Sequence, residues 1–183
     1  MRTIVIACGL ALAAIGLGAD LAAAGSGAFT AKLGRSEAFV SADARGQATL
    51  QLSGDGRELQ YELAVKNIEL VTQAHIHLAP DALKQEGLPR RFEEPSKGRH
   101  HGPIVAFLLD FAREGITVDG VLAKGRVRGS DLVGPLRGQP LSLLIEFMEK
   151  GDAYVALHVL QPIGPNQVFC CPDGLRGLIL AAP

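Results

Sequence analysis

The sequence contains no tryptophan, and aromatic residues make up only 5% of its 183 residues. So few aromatic side chains argue against a surface that stacks nucleic-acid bases or sugar rings. An excess of charge of one sign is also absent, because the formal net charge is −1. A strong attraction to nucleic acid or to a charged membrane surface is therefore not expected, and we predict no nucleic-acid partner.

Cysteine is scarce, and two of the three cysteines are neighbours. Cys8 lies in the apolar stretch at the start of the chain, which leaves Cys170 and Cys171. Adjacent Cα atoms lie ~3.8 Å apart, below the span of about 4.4–6.8 Å of most disulfides. The sequence therefore predicts no stabilising disulfide framework, and the pair could be free, bridged between chains or bound to another group.

Long apolar runs are absent beyond the first residues of the chain. Arg2 precedes an apolar run from 3 to about 17, and Ala22-Ala23-Ala24 supplies an A-x-A cleavage site. This layout is typical of a secretory signal peptide, and the run is shorter than the ~20 residues of a spanning helix. We predict a signal peptide at 1–24, a single domain at 25–183 without a membrane span, and a periplasmic or secreted location.

Alternating apolar residues between turn signals indicate many short strands. They predict strands at 28–33, 46–53, 58–67, 72–79, 103–109, 120–129, 153–160 and 175–181. Apolar residues at 141, 144, 145 and 148 have helical spacing and predict one short helix at about 140–150. The fold class is predicted as all-β, a Greek-key or immunoglobulin-like β-sandwich with that helix. Long loops are predicted at 80–102 and 161–174.

Three histidines are predicted to share the face of the sheet that points away from the core. Side chains alternate along a strand, so His75 and His77 lie opposite the apolar set of strand 72–79. His158 lies opposite the apolar set of strand 153–160 by the same rule. If the two strands are neighbours, the three imidazoles can converge on one ion.

Imidazole and thiolate ligands suit copper or zinc rather than magnesium or calcium. The sequence therefore predicts a copper or zinc site at His75, His77 and His158. The predicted loops bring weaker candidate ligands, which are His100, His101, Cys170 and Cys171. Surface histidines that bond only to their neighbours are the alternative interpretation. No nucleophile motif, P-loop or dinucleotide fingerprint occurs, so no catalytic residue is predicted.

Several segments together resemble a known family. They are FTAKLGRSEA, GQATLQLSGDGRELQYELAVKNIELVTQAHIHLAP, GPIVAFLLD, GVLAKGRVRGSDLVGPLRGQPLSLLIEFMEKGDAYVALHV and GLRGLIL. In this order they resemble the CHRD domain, which is named after chordin and also occurs in secreted bacterial proteins. The resemblance implies a secreted β-sandwich module and maps the family's recurrent histidines to His75, His77 and His158. It implies no established reaction for bacterial members.

Three functions are compatible with these observations. The first is a non-enzymatic extracytoplasmic binding module that holds a metal ion and contacts an extracytoplasmic protein partner. The second is a copper redox enzyme, because the histidine arrangement is similar to that of Cu/Zn superoxide dismutase, a likeness of fold alone. The third is a structural or adhesive module in which the histidines have no ligand.

Overall fold

The computed structural model describes residues 27–80, 82, 102–165 and 167–183. Strands in this part are β1 (Ala28–Arg35), β2 (Arg45–Leu52), β3 (Glu58–Lys66), β4 (Val71–Leu78), β5 (Ile104–Leu109), β6 (Gly120–Arg128), β7 (Ala153–Gly164), β8 (Gln167–Leu178) and β9 (Leu180–Ala181). Helix α1 (Leu141–Glu149) follows two short 3-10 helices, Gly129–Asp131 and Gly134–Leu136. The prediction of an all-β chain with one short helix near 140–150 is confirmed for these residues.

The strands form one antiparallel sheet that curls back on itself. Its order is β5-β4-β7-β8-β1-β2-β3-β6, and β9 pairs with β1. The two ends approach each other, since Tyr61 Oη on β3, the neighbour of the end strand β6, donates a hydrogen bond to the Leu108 carbonyl on the other end strand, β5, at 2.7 Å. The sheet is therefore nearly closed, like a barrel. The finer prediction of a Greek-key, immunoglobulin-like arrangement stays a prediction.

The inner face of the sheet carries the core. On β1, Phe29, Ala31 and Leu33 are buried and alternate with more exposed residues, as a strand with one packed face requires. Helix α1 contributes the predicted stripe of Leu141, Leu144, Ile145 and Met148, together with Phe147. Gly151 ends this helix segment at a φ of 74°, a conformation that glycine adopts without steric cost.

The prediction of a loop at 161–174 is wrong. In the structure β7 continues to Gly164 and β8 begins at Gln167, so most of this segment is strand. The two strands form a long hairpin in which Pro162 is paired with Val168 and the register shifts at three points. Proline and glycine indicated a loop in the sequence, yet pairing with the neighbouring strand keeps the backbone extended.

Two further predictions fall on residues outside the described part of the chain. The predicted signal peptide at 1–24 lies there, and so do 81 and 83–101, which make up most of the loop predicted at 80–102. Among the described residues, no helix has the length and apolar character needed to cross a membrane.

Candidate metal centre

The three predicted ligands lie on two neighbouring strands. β4 pairs with β7 in an antiparallel register that places His77 opposite Tyr154, His75 opposite Ala156, and Gln73 opposite His158. The condition for convergence, that the strand of His158 lies beside the strand of His75 and His77, is therefore met. His158 is diagonal to His75, and diagonal neighbours on one face of a sheet are within reach of large side chains.

The parity of the histidines also agrees with the prediction. Ala74, Ile76 and Leu78 on β4 belong to the hydrophobic core cluster, as do Val155 and Leu157 on β7. The histidines between them therefore lie on the opposite face, where the alternation of a strand puts them.

The face expected to point outward is nevertheless buried. His75 and His77 are only 1% and 3% exposed, and the His158 side chain is 13% exposed. The His75 and Phe107 rings are perpendicular with centroids 4.8 Å apart, and the His77 ring stacks on Tyr154 with centroids 5.1 Å apart. β4 runs between β5 and β7, so aromatic side chains of its neighbours contact these rings. The alternative of surface histidines is therefore wrong for His75 and His77.

The three imidazoles converge. Their centroids are 5.1, 5.6 and 6.1 Å apart, and one nitrogen of each ring lies within 4.8 Å of the other two. Metal–nitrogen bonds of about 2.0–2.1 Å require the ligand nitrogens to be about 3.3–3.5 Å apart. Small side-chain rotations would close the difference. These residues could therefore hold a metal ion.

Backbone carbonyls fix the orientation of two of the rings. His77 Nδ1 donates to the Gly102 carbonyl at 2.8 Å, and His158 Nδ1 donates to the Cys171 carbonyl at 2.8 Å. A carbonyl oxygen only accepts, so the proton of each neutral ring is on Nδ1 and the lone pair is on Nε2. Metal-binding histidines usually donate their second nitrogen in this way.

Gly102 holds His77 and Tyr154 together. Its carbonyl accepts from His77, while its N–H donates to Tyr154 Oη at 3.0 Å. A Cβ atom at this position would lie 1.6 Å from the Leu78 carbonyl oxygen, so only glycine fits against β4. Burial raises the pKa of Tyr154 above its ordinary value, which keeps the phenol neutral.

His75 is kept neutral by its surroundings. Burial, and then the proximity of His158 and His77, lower its pKa from 6.5 to about 3. No described group forms a hydrogen bond with either nitrogen of His75 or with Nε2 of His158. A neutral imidazole with an available lone pair is the form that binds a metal ion.

Asp173 is a site residue that the sequence did not indicate. It is 3% exposed on β8, pairs with His158 in the strand register, and places Oδ1 at 3.2 Å from His158 Nδ1. Asp173 lies in the loop predicted at 161–174, and side-chain alternation predicts a face only for residues on a strand. Recognising β8 from 167 onward would have put Asp173 beside His158.

Among the weaker candidate ligands that the structure describes, the Cys170 and Cys171 side chains are not grouped with the triad of His75, His77 and His158. Cys170 and Cys171 form a disulfide with each other, and in this state neither offers a thiolate. Cys171 contributes its backbone carbonyl to His158 instead. Metal binding by the reduced cysteines stays a prediction, and His100 and His101 lie outside the described residues.

A family model described as the CHRD domain matches residues 29–161. The chain belongs to the CHRD family. The three histidines of this CHRD domain lie inside the match, whereas Asp173 and the two cysteines lie beyond its end. Comparison with curated proteins found no match, and comparison with solved structures found none either.

Proposed function

We propose that this CHRD domain is a non-enzymatic extracytoplasmic binding module that holds a copper or zinc ion through His75, His77 and His158. The observation that carries the proposal is the convergence of three imidazoles on adjacent strands, with ligand nitrogens within 4.8 Å. Imidazole suits zinc and copper, and the structure offers no ring of carboxylates and carbonyls of the kind that calcium needs at this place in the described chain.

The free-energy cost of burying these imidazoles without a bound ion supports this proposal. A buried polar group without a partner destabilises a fold by about 1–3 kcal/mol. His75 has two such nitrogens among the described residues. A histidine that served only to fill space could be replaced by an apolar residue, so a bound ion is the simplest reason for three imidazoles here.

Export is part of the proposal. Arg2, the apolar run and the alanines at 22–24 have the layout of a cleaved signal peptide. If the leader is cleaved, the protein recovered from the periplasm or the medium should have the mass of a chain that begins near Gly25. Recovery of the full-length chain in the cytoplasm would contradict this part of the proposal.

The copper redox enzyme predicted as the alternative would use the same three ligands. It would also need an open coordination position that substrate can reach. The exposed fractions of His75 and His77, 1% and 3%, favour retention of an ion over turnover of a substrate at it. Superoxide consumption by the copper-loaded protein tests the alternative, and measurable turnover would favour it.

Metal content and titration of the purified mature protein test the metal site. We expect one equivalent of Zn²⁺ or copper per chain, lost in a variant with His77→Asn and His158→Asn. Asparagine can place an N–H near the position of Nδ1, so each substitution retains a donor for the Gly102 or Cys171 carbonyl while Nε2 is removed.

A matched control tests the two histidines outside the described residues. His100→Ala with His101→Ala removes the same number of imidazoles from the chain as the asparagine variant. We expect this control to keep its equivalent of metal. No metal in the wild-type protein, or unchanged binding in the asparagine variant, would refute the proposed site.

A further inference from the structure

The position of the Asp173 carboxylate beside the triad is relevant to which metal ion the three histidines would bind. Asp173 lies on β8, 3% exposed, with Oδ1 at 3.2 Å from Nδ1 of His158. The His158 ring connects this carboxylate to Nε2, the nitrogen that keeps its lone pair when Nδ1–H donates to the Cys171 carbonyl. A negative charge is therefore held close to any ion at the triad, on the far side of one ligand.

The other groups of the site contribute little charge of their own. His75 is neutral at pH 7, and His77 donates Nδ1–H to a neutral carbonyl. Arg176 lies over the outer face of Tyr154, 5.2 Å from the ring centroid, and is exposed to solvent that screens it. Asp173 is thus the buried acidic side chain next to the triad in the described part of the chain.

Coulomb attraction grows in proportion to the charge of the ion. At a fixed distance, a carboxylate stabilises a divalent ion twice as strongly as a monovalent one. Burial makes the effect larger than it would be at a surface, because solvent screens buried charges less. A hydrogen bond that merely orients the His158 ring would favour both kinds of ion equally.

We infer that Asp173 determines which ion the three histidines prefer. It is a positioning residue that acts through His158, and its charge favours a divalent transition-metal ion over a monovalent one. This inference rests on the proposed function, since it requires that the triad binds an ion. It goes further because it names the residue that sets the preference between divalent and monovalent ions, such as the two charge states of copper. That residue lies outside the family match.

The experiment compares Zn²⁺ with Ag⁺, two ions that undergo no redox change during the titration. Both affinities are measured by competition with a chelator at one fixed pH, in the wild type and in Asp173→Asn. All proteins carry Cys170→Ser and Cys171→Ser, because a reduced thiol would bind the soft silver ion. Glu62→Gln, an exposed carboxylate on β3, is the matched control.

In Asp173→Asn we expect the Zn²⁺ affinity to fall about 10–100-fold, the usual effect of losing an outer-shell partner of a ligand. The Ag⁺ affinity should fall by only the square root of that factor, about 3–10-fold, because its charge is half as large. Glu62→Gln should leave both affinities unchanged. Thermal unfolding of the metal-free variants checks that each one folds.

Equal losses for the two ions would overturn the inference while leaving the metal site itself intact. No loss for either ion would do the same. Asp173→Glu provides a second measurement, since it keeps the charge while altering the reach. Its ratio of Zn²⁺ to Ag⁺ affinity should stay within about threefold of the wild type, and a ratio like that of Asp173→Asn would also overturn the inference. Failure of the starting protein to bind either ion would refute the proposed function and the inference with it.

Discussion

Replacement of His75 by leucine is expected to stabilise the metal-free protein and to abolish metal binding. Both ring nitrogens of His75 are buried without a hydrogen-bond partner among the described residues. A buried polar group without a partner costs about 1–3 kcal/mol, and an apolar side chain of similar size removes that cost. We therefore expect the free energy of unfolding to rise by about 1–3 kcal/mol.

The same substitution two residues along the strand provides the control. His77 is equally buried, but its Nδ1 donates to the Gly102 carbonyl at 2.8 Å. His77→Leu leaves that carbonyl without its donor, so we expect the free energy of unfolding to fall by about 1–3 kcal/mol. The two substitutions are chemically the same and lie on the same face of β4, yet their effects on the free energy of unfolding should have opposite signs.

Urea unfolding, followed by circular dichroism in the presence of a chelator, measures both variants against the wild type. The slope with denaturant should be unchanged, so that a shift of the midpoint reports stability. Destabilisation by His75→Leu of the same size as by His77→Leu would refute the reasoning. It would mean that the nitrogens of His75 are satisfied in the metal-free fold and that this ring is not held for an ion.

Four further predictions follow from the site. Because the pKa of His75 is about 3 when folded and 6.5 as its ordinary value, its protonation imposes no penalty on the folded state above about pH 6.5. As the pH falls from 6.5 towards 3, this residue should lower the free energy of unfolding by at most about 1.4 kcal/mol per pH unit, and urea unfolding should show this extra slope in the wild type but not in His75→Leu. Zn²⁺ at about 100 times its Kd should raise the Tm by roughly 5–10 °C, since it adds about 2.7 kcal/mol, and His158→Asn should remove the rise in a thermal scan. Cys170→Ser with Cys171→Ser should change the free energy of unfolding by less than about 0.5 kcal/mol, because a bond between neighbours closes almost no loop, and a larger loss would show a structural role. Ala156→Leu should lower Zn²⁺ affinity about 10-fold or more without changing a ligand, because residue 156 lies opposite His75 and a larger side chain fills the space between the rings; unchanged affinity would place the ion elsewhere.

The alternation of side chains made much of the site predictable. Strand 72–79 carries an apolar set and two histidines, and only one assignment of faces puts the apolar set in the core. The same rule applied to strand 153–160 gave His158 the matching face. The sequence could therefore assign three residues on two strands to the same face, because the period of a strand is fixed by its geometry, but it left the adjacency of the two strands open.

The partners of the histidines could not be predicted in the same way. Asp173 and Cys171 lie in a segment whose proline and glycine indicate a loop, and only pairing with β7 makes it a strand. Phe107 reaches His75 because the pairing of β5 with β4 shifts register, which the sequence of β5 does not reveal. Such contacts depend on tertiary pairing, whereas parity depends on one strand alone.

Irregular strand pairing is concentrated at the histidines themselves. The register between β4 and β5 shifts between Ala74 and His75 and again between Ile76 and His77. The register between β7 and β8 shifts on both sides of His158. A shift of register interrupts the ladder of hydrogen bonds and turns a side chain away from its regular direction, and such irregularities are common beside functional sites.

A sheet selected only for stability would keep its ladders regular in the buried strands. Here the interruptions occur at each of the three side chains that converge. On β8, the Cys171 carbonyl and Asp173 contact His158 beside its two shifts of register. The metal site that we propose would give the backbone irregularities and the buried imidazoles a common explanation, because both occur where the three histidines meet.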